Sequence, residues 1–187
     1  MPVRLHVFGA SGSGTTTLGQ AVEAAIGLPH FDSDSFFWLP TEPPFTAPRP
    51  KPERDAMAFQ ALSGSDQWVL SGSIVSWSPT VVELVDRAVF LYLPSQVRLA
   101  RLRARETERY GDRIEPGGDM HEASTAFLAW AERYDTAGLE QRSLATHEAW
   151  MRTLGVPVLD LRGELTVAER VAAVRVFIRD PTTDRMG

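Results

Sequence analysis

A glycine-rich segment close to the N-terminus constrains the fold of this chain more than any other feature. It reads Gly-Ala-Ser-Gly-Ser-Gly-Thr-Thr-Thr from Gly9 to Thr17 and follows the apolar run at residues 3–8. A buried strand that leads through glycines into a helix is the usual setting of a phosphate-binding loop. Glycines permit positive φ angles and leave room for backbone N–H groups to approach phosphate oxygens.

One position of the motif G-x-x-x-x-G-K-[ST] is altered. Gly9, Gly14 and Thr16 match the motif, whereas Thr15 stands where the motif has lysine. The N-terminus of the following helix would add partial positive charge, and Thr16 can place its hydroxyl on Mg²⁺. The loop therefore predicts nucleotide binding. Without the lysine that reaches the β- and γ-phosphates, the means of assisting phosphoryl transfer stays open.

A dinucleotide-binding loop is the main competing interpretation, because Gly-Ala-Ser-Gly also opens some NAD(P) sites. That fingerprint requires glycine at position 15, where the chain has Thr15, although Asp32 could serve as the acid that binds a ribose. The tyrosine–lysine pair of short-chain reductases cannot form, since Lys51 is the only lysine and Ala47 lies four residues before it. A glycine-rich turn without a ligand is the other, less favoured alternative.

Composition excludes several classes of site. The chain has no cysteine, which rules out disulfides, thiolate metal sites and cysteine nucleophiles. Its four histidines show no zinc spacing, and His6 is expected to be a core residue of the first strand. Arginine provides all but one of the 19 basic residues. Because guanidinium groups match phosphate oxygens in geometry, an arginine could replace the missing lysine.

Length and charge indicate the setting in which the protein works. A chain of 187 residues suits one domain. A net charge of −5 argues against binding to a nucleic acid polymer or an anionic membrane. No apolar run reaches the ~20 residues of a membrane span, and no signal-peptide pattern precedes the loop. We therefore expect a cytoplasmic protein whose partners are small molecules.

Short apolar runs alternate with amphipathic segments, which predicts a parallel sheet covered by helices on both faces. Strands are predicted at residues 3–8, 29–31, 68–71, 88–93 and 156–161. Helices are predicted at residues 15–26, 52–62, 79–85, 95–109, 120–135, 142–154 and 165–178. The expected fold class is α/β, a three-layer, doubly wound, five-stranded parallel sheet forming a single domain over residues 1–187.

Candidate ligand-binding residues follow the predicted strands, where doubly wound sheets bind their ligands. Asp32 and Asp34 follow the second strand and Gly72 follows the third. On a continuing strand, carboxylates two residues apart would share one face. One could then hold Mg²⁺ while the other accepts a proton from an attacking hydroxyl. The alternative is that one of them only caps a turn.

Four arginines recur every three or four residues and form a stripe on the long predicted helix: Arg98, Arg101, Arg105 and Arg109. A solvated stripe is the ordinary explanation. However, the helix runs into residues 110–119, which hold three glycines and Arg113. A mobile lid of this kind could close an arginine over phosphates and offset developing charge. Arg133 and Arg142, further along the chain, could act in the same way.

Together these features resemble the nucleoside-monophosphate and shikimate kinase group of P-loop proteins. The resemblance rests on the glycine-rich loop, the Asp-Ser-Asp at 32–34, the Ser-Gly-Ser at 71–73 and the arginine-rich helix and lid. It covers about residues 1–160, and the chain is also similar to bacterial adenylate kinase-like proteins. It implies ATP and Mg²⁺, with Thr16 and Asp32 holding the metal. The implied nucleotide-binding residues are Gly9, Gly12, Ser13, Gly14, Thr15, Thr16, Thr17 and Arg105.

The same resemblance assigns the acceptor side. Asp34 would touch the acceptor hydroxyls, Arg54 would bind an acceptor carboxylate, and Gly72 would stand for the glycine triplet of the family. Arg113 within the lid would assist transfer, with Arg109 as the second candidate. We expect the acceptor-binding segment at about residues 35–63, which includes a proline-dense loop, and the lid at about residues 109–119.

These expectations describe an ATP-dependent phosphotransferase with an unidentified acceptor. Phe36, Phe37 and Trp38 in the acceptor segment suggest an acceptor other than shikimate. Because Thr15 replaces the lysine, a nucleotide-binding sensor that has lost catalysis is the alternative function. An NAD(P)-dependent oxidoreductase is less favoured.

Overall fold

A five-stranded, all-parallel sheet lies at the centre of the protein. The computed structural model describes residues 2–180. The strands are β1 (Arg4–Gly9), β2 (His30–Asp32), β3 (Trp68–Ser71), β4 (Arg87–Tyr92) and β5 (Val158–Arg162). Their order across the sheet is β2-β3-β1-β4-β5, and each neighbouring pair is parallel. The predicted fold class is confirmed.

Helices connect and cover the strands. Within the described residues they are α1 (Thr15–Ile26), α2 (Ser33–Phe37), α3 (Lys51–Ser63), α4 (Pro79–Val82), α5 (Ser95–Tyr110), α6 (His121–Glu132), α7 (Leu144–Thr153) and α8 (Val167–Arg179). The predicted bounds of α1 and β3 are confirmed. The helix predicted over 120–135 is instead α6 followed by a 3₁₀ turn at Arg133–Asp135, and the segment after α5 begins with a 3₁₀ turn at Gly111–Ile114.

The sequence prediction missed α2, which follows β2 without a loop. Five residues are too few to display a helical period. The helix begins because the Asp32 side chain caps it: Oδ1 of Asp32 accepts the backbone N–H of Asp34 at 3.0 Å. The strand therefore ends at the first aspartate of the Asp-Ser-Asp segment.

Different helices bury the two faces of the sheet. Leu5 and Val7 of β1 pack in one apolar cluster with residues of α1 and α8. The alternate residue Phe8 packs with Phe90 of β4 against α7. Since burial of each large apolar side chain contributes about 1.5–3 kcal/mol, these layers hold the carboxyl ends of β1 and β4 rigidly side by side. Among residues 2–180, no helix combines the length and apolar character needed to cross a membrane.

Two histidines, His6 and His147, are fully buried on the face covered by α7. The ring of His6 stacks on Phe8 at 5.2 Å between centroids, and its Nδ1 lies 3.1 Å from the carbonyl oxygen of Leu70. Burial lowers the pKa of His6 to about 4 and that of His147 to about 3. The prediction that His6 is a core residue is confirmed.

Acid is expected to destabilise the protein through these histidines. Their folded pKa values lie below the ordinary value of 6.5, so the unfolded chain binds protons first and the free energy of unfolding falls as pH drops below about 6.5. At about 1.4 kcal/mol per pH unit, each histidine should remove about 2 kcal/mol by about pH 5. Urea unfolding at about pH 7.5 and about pH 5 measures the loss. His6→Gln should roughly halve it, and a pH-independent stability would contradict the expectation.

Candidate active site

A deep cleft opens at the carboxyl ends of β1, β2 and β3. Its walls are the glycine-rich loop, the start of α2, the proline-dense loop, the C-terminal part of α5 from Arg101 onward and the start of α8. Its volume is about 1320 Å³, whereas pockets for one small ligand measure roughly 300–1,000 Å³. The cleft has room for two small molecules at once.

The glycine-rich loop has the backbone geometry that a phosphate cradle needs. Gly12 and Gly14 adopt φ angles of 82° and 94°, in the left-handed region that favours glycine. A Cβ atom at Gly9 would collide with the backbone oxygen of Leu91. Gly14 is the N-cap of α1, so the first N–H groups of that helix face the cleft without a side-chain cap.

Thr16, Asp32 and Asp34 lie together on the cleft wall. The hydroxyl of Thr16 donates to Oδ2 of Asp32 at 2.8 Å, while Oδ1 of Asp32 caps α2. The expectation that Asp32 and Asp34 share the face of a continuing strand is wrong, because the chain turns into α2 between them. The capping alternative is correct for one oxygen of Asp32, and the other oxygen contacts the hydroxyl of Thr16.

Gly72 fits the close approach of β3 to α2. Its φ angle is 95°, and a Cβ atom would collide with the hydroxyl of Ser33. Both Gly72 and the following Ser73 line the cleft. Glycine at this position therefore lets the carboxyl end of β3 lie against the Asp-Ser-Asp segment.

Asp34 is the carboxylate with the most unusual electrostatic setting in the cleft. Its side chain faces the open cleft, yet the surrounding walls remove much of its contact with water. This loss of solvent, followed by the negative charge of Asp32, raises its pKa. Arg142, Arg105 and Arg109 oppose the shift. A carboxyl with a raised pKa is better matched to accepting a proton near neutral pH.

Five arginines that line the cleft have no carboxylate within 4.0 Å among residues 2–180: Arg101, Arg105, Arg109, Arg142 and Arg170. Aromatic rings support three of them instead. The guanidinium of Arg109 lies 4.0 Å from the ring centre of Phe45, and Arg142 lies 4.8 Å from Trp130. The ring of Phe127 lies 5.7 Å from Arg105. Because these five arginines outnumber the carboxylates that line the cleft, Asp32, Asp34 and Glu106, the cleft is suited to anions.

Arg105 and Arg101 occupy different parts of the cleft. The resemblance placed Arg105 near the adenine, but its charge acts on Asp34 and its buried Nε has no hydrogen-bond partner among the described residues. Arg101 lies instead beside the glycine-rich loop, with Nη1 3.9 Å from the Cβ position of Gly14. Arg101 and Arg105 thus serve different ends of the cleft, whereas Arg98 of the same stripe is buried and bonded to Asp135 at 3.1 Å.

Arg54 does not line the cleft. It belongs to α3, where it is fully buried, bonded to Asp55 at 2.7 Å and 4.6 Å from the ring centre of Trp77. Arg49 is the arginine of this segment that reaches the cleft wall, although it also pairs with Glu53 at 2.7 Å. The structure therefore does not place Arg54 where it could contact an acceptor in the cleft.

Arg113 also does not belong to the described residues that line the cleft. Its guanidinium binds Asp119 at 2.7 Å and Glu42 of the proline-dense loop at 3.3 Å. The hydrogen bonds that the guanidinium donates to Asp119 raise the pKa of Arg113. The side chain consequently ties the lid segment to the proline-dense loop.

Sequence reasoning missed Arg170 and the surroundings of Ser73. Arg170 of α8 is buried, and its Nη1 donates to the backbone oxygen of Ser13 at 2.9 Å. A capping box at Thr166 and Glu169 marks the start of α8, but no local signal shows that this start packs on the glycine-rich loop. Arg133, weighed with Arg142 from the sequence, is exposed and lies 3.7 Å from Glu140.

A comparison of sequences places the chain in a family. No protein-family model matches it. The "Uncharacterized protein YqaC" of Bacillus subtilis (strain 168) is 42% identical over 178 residues, which cover 95% of this chain and 98% of that protein. The chain belongs to the YqaC family. The match spans nearly the whole of both chains.

Solved structures identify the fold of this YqaC-family chain. A shikimate kinase from Bacteroides thetaiotaomicron has a TM-score of 0.57 at 18% identity and covers 95% of this chain and 99% of that one. A shikimate kinase from Acinetobacter baumannii, solved in complex with shikimate, has a TM-score of 0.55 at 16% identity and covers 95% and 93%. The chain thus has the fold of the P-loop small-molecule kinases, as the motifs predicted.

Proposed function

We propose that this protein is an ATP-dependent kinase that transfers the γ-phosphoryl group of ATP to a hydroxyl of a small acceptor. The observation that carries the proposal is the position of Asp34, beside the Thr16–Asp32 pair and facing three arginines without carboxylate partners. In this proposal Asp34 accepts the proton of the attacking hydroxyl. Arg105, Arg109 and Arg142 stabilise the charge that develops on the transferred group.

The nucleotide binds at the glycine-rich loop, from Gly9 to Thr17. Backbone N–H groups at the start of α1 and its partial positive charge hold the phosphates. Thr15 supplies one neutral hydrogen bond, worth about 0.5–1.5 kcal/mol. Arg101 and Arg170, which flank Gly14, supply the positive charge that the absent lysine would give to nucleotide binding.

Thr16 and Asp32 suit Mg²⁺. Their oxygens lie 2.8 Å apart on the open wall of the cleft, and a hydroxyl with a carboxylate, completed by waters and phosphates, is a typical magnesium ligand set. When bound there, the ion would neutralise charge on the β- and γ-phosphate oxygens. The orientation of Asp32 by its cap on α2 would keep its second oxygen directed at that position.

The acceptor binds between Asp34 and the proline-dense loop. Trp38 and Phe45 give this end of the cleft an aromatic wall. The described residues that line the cleft include five arginines without a carboxylate within 4.0 Å and three carboxylates, Asp32, Asp34 and Glu106. This excess of positive charge favours an acceptor with an anionic group of its own. Residues 35–63 act as the acceptor segment and residues 109–119 as the lid of one domain.

An acceptor screen tests the proposal. The protein is incubated with Mg²⁺ and ATP labelled at the γ-phosphate, together with nucleoside monophosphates, sugar acids and hydroxylated carboxylic acids. Transfer of label to one class, lost in Asp34→Asn, supports the kinase. Binding of ATP without transfer to any compound supports the alternative of a nucleotide sensor. The threonine at position 15, in place of the motif's lysine, favours that alternative.

Arg101→Ala and Arg170→Ala are each expected to weaken ATP binding about tenfold. A charge-assisted hydrogen bond contributes about 1.5–3 kcal/mol, and about 1.4 kcal/mol corresponds to a factor of ten. Calorimetry with ATP and AMP measures the effect, which should be smaller for AMP. Arg103→Ala on α5 and Arg175→Ala on α8 are matched controls, because both side chains are exposed outside the cleft. Equal affinities in all four variants would contradict this assignment.

A further inference from the structure

Three side chains form a chain of hydrogen bonds from the protein interior to the cleft. The hydroxyl of Tyr134 lies 2.7 Å from Nδ1 of His147, and Nε2 of His147 lies 3.0 Å from the hydroxyl of Ser73. Tyr134 and His147 are buried, whereas Ser73 lines the cleft directly after Gly72. The chain therefore ends at the cleft wall, next to Gly72, whose Cβ position faces Ser33 and Asp32.

The hydrogen positions in this chain follow from what each group can donate. A phenol has one hydrogen, and Nδ1 of His147 is its sole hydrogen-bond partner within residues 2–180. Tyr134 therefore donates to Nδ1, since the reverse arrangement would bury its hydrogen without an acceptor. Burial and the charge of Arg142 lower the pKa of His147 to about 3. The neutral ring then carries its hydrogen on Nε2 and donates it to Ser73.

This assignment determines what Ser73 offers to a ligand. Its oxygen accepts the hydrogen of Nε2, so its own O–H hydrogen is directed elsewhere. In the described part of the chain that hydroxyl has no second partner, and its surroundings are the cleft. A hydroxyl that accepts one hydrogen bond becomes a better donor in the next. The side chain is thus prepared to donate to an oxygen in the cleft.

We propose that Tyr134 and His147 are positioning residues that hold Ser73 as a hydrogen-bond donor to an oxygen atom of the phosphoryl acceptor. The proposal rests on the kinase function argued above and adds a specificity element to it. It selects acceptors that place an oxygen lone pair, as in a carboxylate, a phosphate or a carbonyl group, opposite Ser73 while their reacting hydroxyl lies at Asp34. An acceptor whose only group there is apolar would leave the Ser73 hydrogen unpaired.

Nitrogen NMR tests the hydrogen positions without any acceptor. In ¹⁵N-labelled protein, the His147 signals, assigned by their loss in His147→Gln, should show a protonated Nε2 and an unprotonated Nδ1 between about pH 5 and about pH 8. Tyr134→Phe should move the Nδ1 signal, because it removes the hydrogen that Nδ1 accepts. A ring protonated on Nδ1 in the wild-type protein would overturn the proposal, whether or not the protein is a kinase.

Inorganic phosphate, added with ADP and Mg²⁺, serves as an oxyanion probe of the donor. Saturating phosphate should shift the Nε2–H signal of His147 in the wild-type protein. Tyr92→Phe, which changes a tyrosine outside the cleft lining, should keep that shift, and Ser73→Ala should lose it. A shift that persists in Ser73→Ala, or phosphate binding with no shift in the wild-type protein, would overturn the donor role.

Steady-state kinetics with an acceptor from the screen then distinguishes a positioning role of these residues from a purely structural one. Tyr134→Phe and Ser73→Ala should each raise the KM for the acceptor up to about tenfold, the limit for one neutral hydrogen bond, with the KM for ATP unchanged. Ser73→Thr should restore the acceptor KM, because it keeps the hydroxyl. Parallel changes in both KM values, following a loss of thermal stability, would assign these residues a structural role only and overturn the proposal.

Discussion

Asp34→Asn is expected to lower the turnover number about 10²–10⁴-fold, the range that general acid–base groups contribute. The amide keeps the shape of the side chain but cannot accept the proton of the attacking hydroxyl. ATP affinity should change little, since Asp34 lies beyond the Thr16–Asp32 pair rather than on the glycine-rich loop. Single-turnover transfer and ATP calorimetry measure the two quantities. Asp66→Asn is the matched control, because Asp66 is an exposed carboxylate bound to Arg4.

The pH dependence gives this prediction a second readout. Activity should fall as pH drops through the raised pKa of Asp34, because the protonated carboxyl is no longer a base. Asp32→Asn removes a negative charge that raises this pKa, so the acid limb of kcat/KM should move to lower pH. Arg142→Gln removes an opposing positive charge and should move the limb to higher pH. Full activity in Asp34→Asn, or limbs that move the other way, would contradict the role.

Arg105→Ala is expected to lower turnover about 10³-fold, at the lower end of what an arginine contributes to phosphoryl transfer. Its guanidinium acts on Asp34, its Nε is buried without a hydrogen-bond partner among the described residues, and no carboxylate there lies within 4.0 Å of it. A transferred phosphoryl group in the cleft would provide the missing partner. Arg142→Ala should act in the same direction. Rapid-quench measurement of phosphoryl transfer at saturating ATP isolates this effect from binding.

Arg113→Ala and Thr15→Lys complete that experiment. Because Arg113 already binds Asp119 and Glu42, its removal should lower turnover much less than the removal of Arg105. Thr15→Lys should tighten ATP binding by placing an ammonium at the phosphates. If Arg113→Ala abolished transfer while Arg105→Ala retained it, the lid arginine would be the catalytic cation instead.

The first strand, the glycine-rich loop and the helix that follows it could be predicted because their determinants are local. A buried strand, glycines that allow positive φ and an amphipathic helix lie within a single stretch of sequence, from residue 3 to residue 26. The helix α2 was missed for a reason that is also physical. Its capping residue, Asp32, belongs equally to a strand end, and periodicity over five residues cannot distinguish the two.

The roles of the arginines could not be predicted, because they depend on which partner each side chain meets in the fold. Arg54 and Arg49 lie close together in sequence, yet only Arg49 reaches the cleft wall, since α3 turns Arg54 inward onto Trp77. Arg170 meets the glycine-rich loop across 157 positions of sequence. The presence of Asp34 on the cleft wall, in contrast, was predictable from its place two residues after the end of β2.

The contacts between the lid segment and the proline-dense loop connect the two halves of the cleft. Tyr110 donates to the backbone oxygen of Pro44 at 2.9 Å, and Arg113 binds Glu42 at 3.3 Å. Under the proposed function, one segment covers the nucleotide and the other covers the acceptor. Segments that contact each other favour a shared open or closed state. If the first ligand prefers one state and thereby changes the affinity for the second, the second ligand changes the affinity for the first by the same factor. Under the proposed function, these two contacts would couple the segments that cover the two substrates, so that the binding of either substrate would change the affinity for the other.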